Sequence, residues 1–282
     1  MNEVHIPSGS KGLKFYGYIG LFTLLIAEVL MFLGVEPFKS FFYLFAWYGY
    51  IFFIDSVIFK LKGSSLLASR PREFFLMLPW STLVWLVFEV YNLFIQNWHY
   101  LELPGSLPVR LLGTAFAFAT VLPGIFETSE LIETVGIVKG FSARRWRITP
   151  QRLYTWMGMG VVMLILPFLF PRYAFPLVWV GFVFFLDPLN YLLGERSLLR
   201  DLENGNLTKI LSLLLAGLVC GFLWEFWNYW AGSKWEYTVP FVGEFLKVFE
   251  MPLLGFLGFP PFALECYAMY NFIKHFEKGS GT

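Results

Sequence analysis

The sequence predicts an all-α polytopic membrane protein in which eight transmembrane helices form two parallel four-helix repeats. Three observations carry that prediction. Hydrophobic residues occupy 57% of the 282 positions and charged residues only 15%, a balance outside the soluble range. Apolar runs of about 20 residues, long enough to cross a hydrocarbon core of roughly 30 Å, recur along the whole chain. The chain also repeats itself. Trp47, Gly49, Phe52, Phe53 and Asp55 return as Trp179, Gly181, Phe184, Phe185 and Asp187, and Ser65-Leu66-Leu67 returns as Ser197-Leu198-Leu199, all at one spacing of 132 residues.

The first repeat, 1–140, holds apolar runs at 14–35, 38–60, 72–97 and 107–137. The second, 141–278, holds runs at 151–170, 173–194, 207–232 and 246–274. Gly279-Ser280-Gly281-Thr282 reads as an appended tail outside both. The runs are continuous rather than alternating with period two, which argues against a β-barrel. The first run follows Lys11 and Lys14, but it is too long for a signal peptide and lacks a small-residue cleavage site, so it reads as a retained helix. Basic residues gather in alternate connections: Lys60 to Arg72, Lys139 to Arg152, Arg196 to Lys209, and Lys274 to Lys278. The positive-inside rule then places both termini in the cytoplasm and the Trp98 and Trp235 connections outside, in a plasma (inner) membrane. An even number of helices per half makes the repeats parallel rather than inverted.

The net charge of +1 gives no argument for nucleic acid, and no Gly-rich phosphate loop lies between a strand and a helix. His5, His99 and His275 fall at the termini and in a loop, so the membrane interior has no histidine pair for a metal or haem. Cys220 and Cys266 fall inside predicted helices, where packing is the simpler role. No metal and no cofactor are expected.

The informative residues are polar ones inside apolar runs, where an ionisable group is costly. Trp85, Glu89, Asn92 and Gln96 are spaced by four, three and four, which puts them on one helix face. Gly221, Glu225, Asn228 and Gly232 form the matching face in the second half, and their glycines permit close backbone approach. The echo extends to Trp98-His99-Tyr100 against Trp235-Glu236-Tyr237, and to Pro123 with Glu127 against Pro261 with Glu265. Pro123 is expected to kink the fourth run. Gly255, Gly258, Pro260 and Pro261 are expected to interrupt the eighth, and irregular backbone at membrane depth lines a cavity or is buried in protein. Glu130 and Glu133 continue the side of Glu127, but the second half has Ala268 and Asn271 there.

Two readings compete at each of these positions. Glu89, Glu127, Glu225 and Glu265 are candidate proton-transfer residues, with Asn92, Asn228, Trp85, Trp224, Trp227, Trp235 and Tyr237 as ligand-binding neighbours. Alternatively, the same groups hydrogen-bond between helices and fix packing, at about 0.6 to 2 kcal/mol per bond. For Asp55 and Asp187, near the cytoplasmic ends of their runs, the packing reading is preferred, through a basic loop or a helix N-terminus. Glu28 is a lesser candidate, since the same spacing places Gly160 opposite it. Glu89 stands about nine residues, or roughly 13 Å, from the outer interface. Glu127 is expected nearer the cytoplasm, so the two carboxyls need a tilt or kink to meet.

Trp235-Glu236-Tyr237, followed by Phe249-Glu250-Met251-Pro252-Leu253, resembles the end of one half of the membrane-integral lycopene cyclases, carotenoid cyclases also built from two related helical halves. The resemblance covers about 20 residues and the two-half plan. It implies a carotenoid or isoprenoid ligand and ring formation by protonation without net redox change. The family's acidic pair is missing, because Leu254 and Gly255 stand in its place, so its catalytic acids are not carried over.

Three functions follow. The first is a protein that binds an isoprenoid, carotenoid or other lipid, acting as a proton-catalysed cyclase or isomerase. Desolvation favours the neutral form of a carboxyl, so an acid among rings can donate a proton, and ring faces can stabilise a carbocation. The second is a proton- or cation-linked transporter or channel with Glu89 and Glu225 along a path. The third is a structural membrane subunit. The expected partner is a membrane lipid or isoprenoid, with a homo-oligomer left open.

Overall fold

The computed structural model describes residues 12–241 and 246–279, so His5, Lys11 and the Ser280–Thr282 end of the appended tail lie outside the described residues. The first two apolar runs fold as α1 (Phe15–Phe32) and α2 (Phe42–Lys62), the latter closed by Gly63 in the left-handed conformation at φ 78°. A single turn, α3 (Leu66–Ser69), precedes α4 (Pro71–Ile95), which starts on a proline whose missing donor is not needed there. β1 (Trp98–Leu101) leads to α5 (Leu107–Phe118) and α6 (Val121–Val135).

In the second half, α7 (Pro150–Leu169) is capped by the Thr149 side chain and is followed by one turn, α8 (Pro171–Ala174), and a 3-10 turn at Phe175–Trp179. Then come α9 (Gly181–Leu192), α10 (Leu198–Asn204) and α11 (Thr208–Trp230). β2 (Lys234–Tyr237) pairs with β1, and β3 (Lys247–Val248) with β4 (Met251–Pro252). A 3-10 stretch at Leu253–Gly258 runs into α12 (Phe259–Gly279).

Seven helical stretches among the described residues are long and apolar enough to cross a membrane, counting α5 with α6 and α8 with α9. This is the architecture of an integral membrane protein. α12 is not among the seven. The mostly helical structure agrees with the expected all-α class, and among the described residues short strands occur only at the connections.

Three expected runs also change. The fourth breaks at Ala119–Thr120 rather than kinking at Pro123, and Pro123 sits in the first turn of α6, where helix donors have no internal acceptor. Ser81 seals that break: its hydroxyl donates to the Phe118 carbonyl at 2.6 Å and accepts from Leu122 N at 3.0 Å. The sixth run is interrupted around Pro171 and Pro176, so its regular helix starts only at Gly181. In the eighth, the irregular part, 246–258, precedes the helix, and Pro260 and Pro261 fall in the first turn of α12.

Two compact units form, and they do not coincide with 1–140 and 141–278. The first takes the chain up to Thr82, Tyr100–Ile137 and Phe226–Lys234; the second takes Leu83–His99, Val138–Glu225 and Trp235 onward. In the first unit α1 lies along α2, and α2 along α6. In the second, α7 lies along α9, and α9 along α12. Lipid tails are as apolar as leucine, so close packing rather than exclusion of water holds such helices together. A Cβ on Gly20 of α1 would sit 2.6 Å from the Gly49 carbonyl oxygen, and one on Gly160 of α7 would sit 2.5 Å from Phe185 N. Phe53 N is likewise 2.8 Å from the Gly20 position, so Gly20 and Gly160 meet matching residues of the repeat. In this first helix the structural register therefore differs from the spacing of 132, and the residue corresponding to Glu28 is the apolar Phe168 rather than Gly160.

Candidate functional site

The second unit gathers eight of the eleven residues singled out from sequence: Glu89, Asn92, Trp85, Trp224, Glu225, Trp235, Tyr237 and Glu265. Glu225, late on α11, is fully buried. Its Oε1 accepts the Tyr237 hydroxyl at 2.6 Å, and that hydroxyl accepts the Trp235 indole N–H at 2.7 Å. β2 makes this chain possible, since residues two apart on a strand face the same side. The second oxygen, Oε2, has no hydrogen-bond partner among the described residues. One side of the carboxyl is thus fixed and the other is presented.

Glu89 answers Glu225 in the first half and accepts hydrogen bonds from two indoles. Trp85 Nε1 donates to its Oε1 at 2.8 Å and Trp98 Nε1 donates to the same oxygen at 3.1 Å. In both halves, then, a tryptophan of the following strand is tied to the glutamate, Trp98 directly and Trp235 through the Tyr237 hydroxyl. Asn92 builds that return path. Its Nδ2 donates to the Trp98 carbonyl at 2.8 Å while its Oδ1 accepts from Asn97 N at 2.9 Å, so its amide is committed to the turn.

Aromatic rings join these carboxyl sites. Trp85 meets Phe262 edge-on at 5.7 Å, and Phe262 meets Trp224 at 6.0 Å, one residue before Glu225. Phe88 stacks on Trp179 at 5.4 Å with a 6° interplanar angle, and Trp98 lies 6.1 Å from Trp179. Gly221 lies directly against the Phe259 ring, the close approach its missing side chain permits. Glu265, fully buried on α12, accepts Phe182 N at 2.8 Å in the first turn of α9. Its Oε2 has no partner among the described residues.

The first unit holds the other three predicted residues. Glu127 on α6 is fully buried, and among the described residues no N–H or hydroxyl donates to either oxygen; its carboxyl adjoins that of Asp55. Asp55 and Glu130 act on it as neighbouring acids and Arg70 as an opposing charge. Trp227 packs edge-on against Trp47 at 5.1 Å and donates its N–H to Glu28 at 3.2 Å. Asn228 is fully buried in this unit.

Asp55 and Asp187 both serve a helix N-terminus. Asp55 accepts Leu67 N at 2.7 Å, the Ser65 hydroxyl at 2.8 Å and the Tyr16 hydroxyl at 2.5 Å. Asp187 accepts Leu198 N at 2.7 Å and Leu199 N at 2.9 Å. The short helices α3 and α10 are anchored by the preceding long helix in the same way.

Phe88, Trp179 and Phe262 complete the ring wall and were not singled out from sequence, although the recurrence of Trp47 as Trp179 was a signal. Glu250 was also passed over. It sits in the turn between β3 and β4, and its charge acts on Glu225. No protein-family model, curated protein or solved structure matches this chain.

Proposed function

We propose that the second unit binds an unsaturated apolar lipid of the isoprenoid or carotenoid class, and that Glu225 is its proton donor. The observation that carries this reading is the state of the Glu225 carboxyl: fully buried, fixed on one oxygen by Tyr237, and without a partner on the other. Such a group is oriented for transfer without solvent competition. Proton addition to a carbon–carbon double bond leaves a carbocation, which the negative faces of Trp85, Trp179 and Trp224 can stabilise. Loss of a proton from a neighbouring carbon then gives a cyclised or isomerised product with no net redox change. Trp235 and Tyr237 polarise the carboxyl through their hydrogen-bond chain, and Glu250 is the nearby acid for proton return. The rings touch one another in this conformation, so the ligand enters by parting them. The likeness to membrane-integral lycopene cyclases supports the ligand class.

The same reading takes α12 as an eighth crossing and the halves as parallel repeats. The matching rows of helices, the matching aspartate anchors and the matching glycine contacts support it. Both termini are assigned to the cytoplasmic side of the plasma membrane on the loop charges.

Organic extraction of the purified protein, with lipid profiling of cells expressing wild type or Glu225→Gln, tests the proposal. A bound prenyl lipid, and a product lost in the variant at unchanged melting temperature, are expected. Absence of any such lipid together with identical profiles would overturn it.

A second reading, a proton- or cation-linked transporter, is favoured by one observation: Glu127 is fully buried against a second acid, Asp55, as in a carboxyl pair that holds a proton between them. Proton or cation flux into liposomes that disappears in Glu127→Gln would select this reading over the first.

A further inference from the structure

The connection between α6 and α7 is the most basic stretch of the chain and differs from the others in how its charge is met. Lys139, Arg144, Arg145, Arg147 and Arg152 occur there with no Asp or Glu between Glu133 and Asp187. In the first unit two of the loop cations meet a carboxylate: Lys62 pairs with Glu130 at 2.7 Å, and Arg70 with the same carboxyl at 2.9 Å. Among the described residues, Arg144, Arg145, Arg147 and Arg152 form no ion pair. Among the described residues, the one hydrogen bond of these guanidiniums is from Arg152 Nη1 to the Arg147 main-chain carbonyl, at 2.6 Å, which holds the Arg152 side chain against the backbone of Arg147.

Arg147 and Arg152 both line a cavity of about 400 Å³, with Thr149, Gln151, Thr155 and Trp156. Two cations, two hydroxyls and an amide are the donors a phosphate takes. Beside it Trp146 and Trp156 stand 6.1 Å apart, rings of the kind that settle at headgroup level. The surface below is what fixes the ligand class. From Arg152 and Thr155 the same face of α7 continues at helical spacing through Met159, Val162, Ile165 and Leu169, all exposed and apolar. Only 17% of the apolar window of α7 is buried in the protein, the lowest share among the seven spans. A cationic, hydrogen-bonding head that passes directly into a bare apolar stripe has the pattern of a phospholipid, not of a free anion.

We propose that this cavity is a binding site for the phosphate of an anionic phospholipid, whose acyl chains lie along the exposed face of α7. The site is separate from Glu225 and its ring wall and does not depend on that reading. It gives the protein a preference for anionic bilayers, and phosphatidylglycerol is the probe that reports it.

The test is thermal unfolding of the full chain in detergent with added short-chain phosphatidylglycerol, phosphatidylcholine or inorganic phosphate. The comparison is between wild type, Arg147→Gln/Arg152→Gln, and a control with Arg196→Gln. Phosphatidylglycerol alone should raise the melting temperature. Its apparent affinity should fall about fivefold for each arginine removed and stay unchanged in the control. Equal stabilisation by phosphatidylcholine, or full phosphatidylglycerol binding in the double variant, would overturn the site. Stabilisation by inorganic phosphate equal to that by the lipid would reassign it to a free anion and sink the lipid assignment. If the double variant does not fold, the lipid bound to the wild type by native mass spectrometry decides between the same outcomes: selective retention of phosphatidylglycerol supports the site, and indifferent retention refutes it.

Discussion

α2 and α9 descend from matching stretches of sequence, yet one is a continuous helix of 21 residues and the other begins only after a one-turn helix and a 3-10 turn. The difference decides what the glutamate facing each of them does. Inside α2 the backbone N–H of Tyr50 has its carbonyl four residues back. At the start of α9 the corresponding N–H, on Phe182, has none, and Glu265 supplies the acceptor at 2.8 Å. Glu127, the counterpart of Glu265, is buried with no backbone or hydroxyl donor on either oxygen and lies instead against the carboxyl of Asp55. Recurrence of a residue therefore does not imply recurrence of its duty. Of the pair, Glu265 serves a helix N-terminus, whereas Glu127 meets another acid.

Substitutions can break or sharpen this contrast. The largest effects should come where the halves agree. Asp55→Ala and Asp187→Ala each remove the acceptor of charge-assisted bonds worth about 1.5–3 kcal/mol apiece, so both should sharply lower the melting temperature in detergent. A mild effect from either would mean that α3 or α10 is not anchored as described. Next come Gly20→Ala and Gly160→Ala, where a methyl group would meet backbone at 2.6 Å and 2.5 Å respectively. Each should cost about 1–3 kcal/mol, and the two values should match if the helix pairs are equivalent.

The contrast itself is tested by Glu265→Leu against Glu127→Leu. The first orphans the Phe182 N–H and should destabilise by about 1–3 kcal/mol. The second removes one of two adjoining buried acids and should be neutral or stabilising, as when buried charges give way to apolar groups of similar volume. Equal losses would abolish the distinction drawn here. Smallest, Trp98→Phe and Trp235→Phe each delete one indole donor, at about 1 kcal/mol. Hydrogen–deuterium exchange at the β1 and β2 connections should register both, with the change at Trp235 passing through Tyr237 to Glu225.

Much of this arrangement was legible in the letters. Seven of the long apolar runs match spans to within a few residues, and Asp55 and Asp187 each stand ten residues before a Ser-Leu-Leu that recurs with them. The breaks were not legible. Ala119–Thr120 carries no proline or glycine, and the acceptor that makes the break tolerable, Ser81, lies on another helix. The position of Pro176 warns of an interruption, but an apolar run looks the same whether it is one helix or a short turn followed by a helix. Periodicity fails in such segments because hydrophobic residues cover every face. The site was half visible. Glu225, Trp235 and Tyr237 follow from the echo, whereas Phe262 and Glu250 enter only through tertiary contacts, and Asn92 is used by its own turn.

The division of the chain between its two compact units has a consequence for biogenesis. Nine residues of the first unit, Phe226–Lys234, are among the last third to leave the ribosome, while the second unit depends on Leu83–His99, made long before. Neither body can close when half the message has been read. The early portion must wait in the bilayer, incomplete, for a segment translated some ninety residues after its own end at Ile137. Fragments severed near residue 140 should accordingly be degraded when made alone and persist when made together.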